Sequence, residues 1–208
     1  FEIWKTLAIA FALVTLIIYF FLGNLKAVIV PAVALPVSLI GSFLGLWIFD
    51  LSINIFVLLS FILAIGIITD DSVIMTDAIY QRIEDGQTPL VSSLLGSRSI
   101  TAPIISTTLV LVSSFAPLIF LSGISGTLFR ETAITLTFAI VVSSFVALTL
   151  SPALAANFLS KNMKKSKIVL KFEKYYKLFL EFYIETLHYW IKKPRVIIGF
   201  MFSIVVAS

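Results

Sequence analysis

Runs of about twenty apolar residues, separated by short polar joints, recur along this 208-residue chain, and that recurrence leaves it one economical way to fold. With 60% hydrophobic residues, 12% charged residues and a mean hydropathy of +1.11, it has too little polar surface to cover a soluble globule. Each run is long enough to cross a bilayer as a helix, and none alternates every second residue as a spanning strand would. The expected fold class is therefore an all-α membrane protein, a polytopic transmembrane helix bundle. The chain contains no cysteine, so neither a disulfide framework nor a thiolate metal site is available, and no cofactor or metal is expected. It opens on Phe1 and ends at Ser208 inside an apolar run, as expected of a piece cut at both ends from a longer polypeptide.

Five spans are expected over about residues 1–22, 25–49, 53–79, 99–121 and 132–159. The first opens with Trp4 and Lys5, an aromatic and a cation suited to an interface, and Gly23-Asn24 ends it. The second carries Pro31 and Pro36 with Ser38, Gly41, Ser42 and Gly45, small residues that let another helix approach closely, so it is expected to be central and packed. Asp50 to Asn54 is a tight polar joint into the third span. A polar exit over residues 81–89 and a short segment to Arg98 lead to the fourth, which holds the hydroxyl pair Thr107-Thr108 between Pro103 and Pro117. The fifth contains Pro152.

From Lys161 to Arg195 ten cations face three acids, a local charge of +7, so the remainder of a chain whose total is +4 carries −3. The positive charge is thus a local matter rather than a nucleic-acid signature. By the positive-inside rule this segment is cytoplasmic. Lys171, Lys174, Lys177, Glu181, Glu185, His188 and Lys192 recur every three or four residues among aromatic and apolar neighbours. That pattern predicts a basic amphipathic helix over 161–193 lying in the membrane interface, with His188 solvated on its charged face. Residues 195–208 read as the start of a sixth span.

The third span holds the costly feature. Asp70 and Asp71 lie within an apolar run, where a carboxylate costs roughly 2.5–3.5 kcal/mol on insertion scales, so an intramembrane acid is a functional hypothesis by default. In low dielectric the two cannot readily both be charged, and no Lys or Arg lies inside any span away from its ends, so a compensating cation is expected from outside the chain. Asp77, two turns on and nearly on the face of Asp70, together with the hydroxyls of Thr69, Ser72 and Thr76, supplies the parts of a hydrated path for protons. The alternatives are that the acids only pair with a distant cation to hold helices together, and that Asp77 is simply solvated at the membrane boundary. Gly66, one turn before Asp70, is expected to be a close-packing site.

Several stretches together carry a resemblance that covers the whole chain in order: residues 34–43, 63–73, 96–98, 115–123, 128–131 and 150–154, among them Thr69-Asp70-Asp71-Ser72, Gly96-Ser97-Arg98 and Ser151-Pro152-Ala153-Leu154. They resemble the resistance-nodulation-division efflux pumps of the hydrophobe/amphiphile, multidrug type. The resemblance implies the second to sixth spans of the amino-terminal half, the interfacial helix joining the halves and the start of the seventh span, with the periplasmic domains and the second half outside the chain. It implies a transporter rather than an enzyme: an inner-membrane proton/drug antiporter in which Asp70 and Asp71 are the proton relay, engaged by a lysine of the second half. It further implies a homotrimer working with a periplasmic adaptor and an outer-membrane channel on small amphiphilic substrates. A secretion or lipid exporter of the same superfamily is the nearer alternative. An intramembrane aspartyl protease is the remoter one, since it needs two acids facing each other from different helices.

Overall fold

The computed structural model describes residues 2–160, 176 and 179–188. Five helices follow one another: α1 (Glu2–Leu22), α2 (Leu25–Ile48), α3 (Ile55–Glu84), α4 (Pro89–Ile119) and α5 (Gly123–Phe158). Among the described residues no strand occurs, and four helices are long and apolar enough to cross a membrane, over Leu25–Ile48, Ile55–Glu84, Pro89–Ile119 and Gly126–Phe158; α1 adds the shorter apolar helix Ala8–Leu22. The protein is an all-α, multi-pass membrane protein.

The joints are made by the residues their chemistry suits. Gly23 takes a left-handed φ of 69° to close α1, and the side chain of Asn24 then accepts from the Lys26 N–H to start α2. After α2, Asp50 turns the chain at a φ of 48°, and Asn54 caps α3 by accepting from the Val57 N–H. The amide of that same Asn54 donates to the Glu131 carboxylate, which pins the start of α3 to α5.

Three helices are longer than the spans expected of them: α3 runs on to Glu84, and α4 and α5 begin early. Pro89 sits at the first turn of α4, where its missing N–H costs nothing, and the helix runs on without a break through the segment expected to precede it. Ser92, Ser93 and Gly96 are buried along this stretch, and a Cβ on Gly96 would come within 2.9 Å of Ile79 Cγ1 on α3. Small residues therefore bring the two helices together well before Arg98. Likewise α5 begins at Gly123, so most of the polar joint expected over 122–131 is helical.

α3 packs against all four other helices, and α5 against α2, α3 and α4, while α1 touches only α2 and α3 among the pairs with substantial contact. The buried residues of α3 include Val57, Phe61, Ala64, Ile68, Met75 and Ile79, spaced by threes and fours or their sums, as one helix face requires. α2 does bring small residues to a close contact: a Cβ on Gly41 would lie 2.7 Å from Val142 Cγ1, and one on Gly45 would run into the Phe138 ring. The expected tight packing of α2 is met against α5, although the helix that touches every other one is α3.

Residues 179–188 form a helix in a separate unit, where the Thr186 hydroxyl donates to the Phe182 carbonyl and Glu181, Glu185 and His188 are exposed. The rest of the basic helix expected over 161–193, and the span expected over 195–208, lie outside the described residues. One prediction follows from the α2–α5 contact. Gly45→Ala forces the Phe138 ring aside in a packed interface, which costs about 1–3 kcal/mol; thermal unfolding of the detergent-solubilised full-length protein will show a lower Tm than wild type.

Candidate functional site

Successive helical residues point about 100° apart, so Asp70 and Asp71 leave α3 in different directions. Asp71 is half-buried, on the side where α3 meets α4 and α5, and its Oδ2 accepts a hydrogen bond from Ser144 Oγ at 2.9 Å. Ser144 lies 2.5 Å from Thr108 Oγ1 on α4. Next to it, Ser143 donates to the Ile68 carbonyl at 3.0 Å, and farther along α5 the Ser151 hydroxyl points to Ser72 Oγ at 3.4 Å. Asp71 is thus lodged where three helices are joined by hydroxyls.

Asp70 has the opposite surroundings. It is exposed, and among the described residues nothing donates a hydrogen bond to its carboxylate and no cation stands beside it. It borders two grooves on the bare side of α3. One, of about 300 Å³, runs between α3 and α1 and is walled by Val14, Ile17, Ile18 and Phe21, with Gly66, Thr69 and Val73 on the α3 side. The other, of about 420 Å³, runs between α3 and α4 and is lined by Asp71 as well, with Ser106, Thr107, Val110 and Leu111 opposite. Every Lys and Arg of α1 to α5 sits within about three turns of a helix end, away from this level.

The other expected members fall as follows. Thr69 is buried, and its hydroxyl is bonded to the Ile65 carbonyl one turn back at 2.5 Å, so it shares the α1-side groove with Asp70 but spends its proton on its own helix. Asp77 lines neither groove; it is half-buried and accepts from Gln81 Nε2 at 2.7 Å, one turn further along α3. Ser72 and Thr76 are buried in the packed face, where Thr76 bonds the Ser72 carbonyl. The structure therefore brings Thr69 and Asp70 to one groove and Asp70 and Asp71 to the other, and leaves Asp77 apart. Gly66 requires a correction. A Cβ there would meet nothing within 4 Å, so among the described residues it is no close-packing site; its missing side chain opens the groove beside Asp70 instead.

Sequence reasoning passed over Ser143 and Ser144, although a signal for Ser143 exists. Ala139, Ser143, Ala147, Ser151 and Ala155 form a stripe with a residue every four positions, all of them at most 1% exposed. Small residues at that spacing bring helix backbones together, and here the backbone brought close is that of α3. No carboxylate from another helix faces the aspartate pair among the described residues, since the one acid acting on Asp71 is Asp70. Among the described residues the geometry of an aspartyl protease is missing.

Fold and site together define a class: a multi-pass helix bundle that sets one carboxylate among hydroxyls and bares its neighbour on an apolar face. The chain matches the AcrB/AcrD/AcrF family over residues 1–208 and belongs to that family. It is 40% identical over 163 residues, 78% of its length, to a protein of Haemophilus influenzae described as an uncharacterized transporter. It is also 40% identical over 166 residues, 80% of its length, to multidrug resistance protein MdtC of Pectobacterium atrosepticum, and equally to MdtC of Pectobacterium carotovorum. The matched part spans 16% of the length of each of these relatives.

Ser143→Ala removes one interhelical hydrogen bond and costs about 0.6–1.7 kcal/mol; thermal unfolding of the solubilised full-length protein will show a lower Tm than wild type.

Proposed function

We propose that this chain is the proton-handling part of a secondary active transporter that expels small amphiphilic organic compounds at the expense of an inward proton flux. The observation that carries this reading is the split environment of the aspartate pair, Asp71 tied to Ser144 and Asp70 bare on a face walled by apolar side chains. A permanently charged carboxylate is costly at such a place, whereas one that gains and loses a proton as its surroundings change is useful there. Family membership and the name of the MdtC relatives support efflux as the work done.

In this reading Asp70 and Asp71 are the proton relay. The groove beside Asp70 receives an element from outside this chain that brings a cation on an apolar stem, because valine, isoleucine, phenylalanine and leucine side chains flank the carboxylate on both sides. Neutralising Asp70 removes the reason for that cation to stay, so a proton exchanges one helix arrangement for another. Thr69, at the same groove, marks the first step of the path by which the proton leaves, and Asp77 marks a later one about 10.5 Å along the helix. The segment 161–193 is cytoplasmic, and the protein sits in the bacterial inner membrane as a homotrimer that works with a periplasmic adaptor and an outer-membrane channel. Substrate binds in domains outside this chain.

The test is made in the full-length protein. Asp70→Asn and Asp71→Asn each abolish dye efflux driven by a proton gradient while leaving the amount of protein in the membrane unchanged; energised efflux at the wild-type rate in either variant overturns the relay.

A further inference from the structure

Two hydroxyls around Asp71 have more acceptors than protons. Ser144 Oγ carries one proton and has two acceptors in reach, Asp71 Oδ2 at 2.9 Å and the Ile140 carbonyl of its own helix at 3.0 Å. Thr108 Oγ1 also carries one, and it lies 2.5 Å from Ser144 Oγ and 2.7 Å from the Ile104 carbonyl of α4. Each hydroxyl must choose between another helix and its own.

We propose that Ser144 and Thr108 form a hydroxyl switch set by the charge on Asp71, and that they are positioning residues by which proton uptake on α3 is felt by α4 and α5. The inference rests on the reading of Asp71 as a proton carrier. An ionised carboxylate only accepts, so it draws the Ser144 proton; Ser144, polarised by that bond, draws the Thr108 proton in turn. The chain Thr108 to Ser144 to Asp71 then joins three helices. A protonated carboxyl donates instead. Its O–H turns to Ser144 Oγ, the Ser144 proton turns to the Ile140 carbonyl, and Thr108 returns to the Ile104 carbonyl, so that each hydroxyl serves its own helix and the tie between α3 and α4 slackens. Two hydroxyl rotations suffice, and no backbone group loses its partner.

The groups that face Asp71 leave its charge free to set the chain. On α3 its one titratable neighbour is Asp70, on α4 the facing groups include Ser106 and Thr107 besides Thr108, and on α5 the partner is Ser144; none of the charged residues of the described parts of α1, α2, α4 or α5 acts on it. Arg98 on α4 and Arg130 on α5 lie about 15 Å and 21 Å along their helices from Thr108 and Ser144.

The experiment combines infrared difference spectra on acidification with proton-driven dye efflux, both in the full-length protein in proteoliposomes. The carboxyl C=O band that disappears in Asp71→Asn belongs to Asp71. It is expected to move to higher wavenumber in Ser144→Ala and to return to its wild-type position in Ser144→Thr. The Asp71 carboxylate bands lost on acidification report the state in which Thr108 is tied to Ser144, and they are expected to shift in Thr108→Val and to return in Thr108→Ser. Efflux falls about tenfold in Ser144→Ala, the worth of one hydrogen bond to a charged group, and recovers in Ser144→Thr. A band unmoved by Ser144→Ala overturns the switch while leaving Asp71 as a proton carrier. Equal behaviour of Thr108→Val and Thr108→Ser overturns the part assigned to α4. If Asp71→Asn removes no band, the reading of Asp71 fails and the switch fails with it.

Discussion

Adjacent residues of a helix leave it in different directions. Because Asp70 and Asp71 point about 100° apart, one of them meets the packed side of α3 when the other meets the open side. The bundle is arranged around that separation. α4 and α5 close on the side of Asp71 and bring hydroxyls to it, while α1 and α4 stand back from Asp70 and leave apolar grooves on either hand. The two carboxylates therefore differ in their partners, Asp71 accepting from Ser144 and Asp70 having no hydrogen-bond donor among the described residues.

What makes the closed side possible is the smallness of α5. A burial-driven contact would set large apolar side chains between helices, but within a membrane apolar residues gain little by leaving lipid for one another, and close backbone approach counts instead. The stripe from Ala139 to Ala155 supplies that approach, and it also decides the polarity of the seam, because a serine is small enough to pack and still carries a proton to donate. Ser143 spends its proton on the Ile68 carbonyl, four residues before Ser72 in the α3 ladder and immediately before the Thr69-Asp70-Asp71 run. The contact that positions the helix therefore lies within one turn of the group it positions.

Much of this was legible in the sequence, and for physical reasons. Long apolar runs specify membrane helices by length alone, and the sharp turns at Gly23-Asn24 and Asp50 to Asn54 use residues that take left-handed φ or cap a helix. The aspartates announced themselves by cost. Partners did not, because Ser144 is unremarkable on its own helix and Thr108 stands there only as one of a hydroxyl pair, and the two become a set only when α4 and α5 are brought to α3. The true starts of α4 and α5 were hidden for a related reason: Pro89 and Gly123 look like ends of structure, and serine-rich polar stretches look like joints, yet Ser92, Ser93 and Gly96 are buried within α4 and Gly96 is packed against α3.

The glycines show how far a residue type alone can carry an inference. Gly41, Gly45 and Gly66 all sit in apolar helices, and the absence of a Cβ has the same local cost in helix propensity for each. At Gly41 and Gly45 that cost is offset by the approach of Val142 and Phe138, so the space is already filled. At Gly66 no described residue comes within 4 Å of a Cβ placed there, and the glycine lines the groove beside Asp70. A larger residue one turn from the Asp70 carboxylate would narrow that groove. Gly66 thus keeps open what Gly45 keeps shut, and only the neighbouring helix decides which.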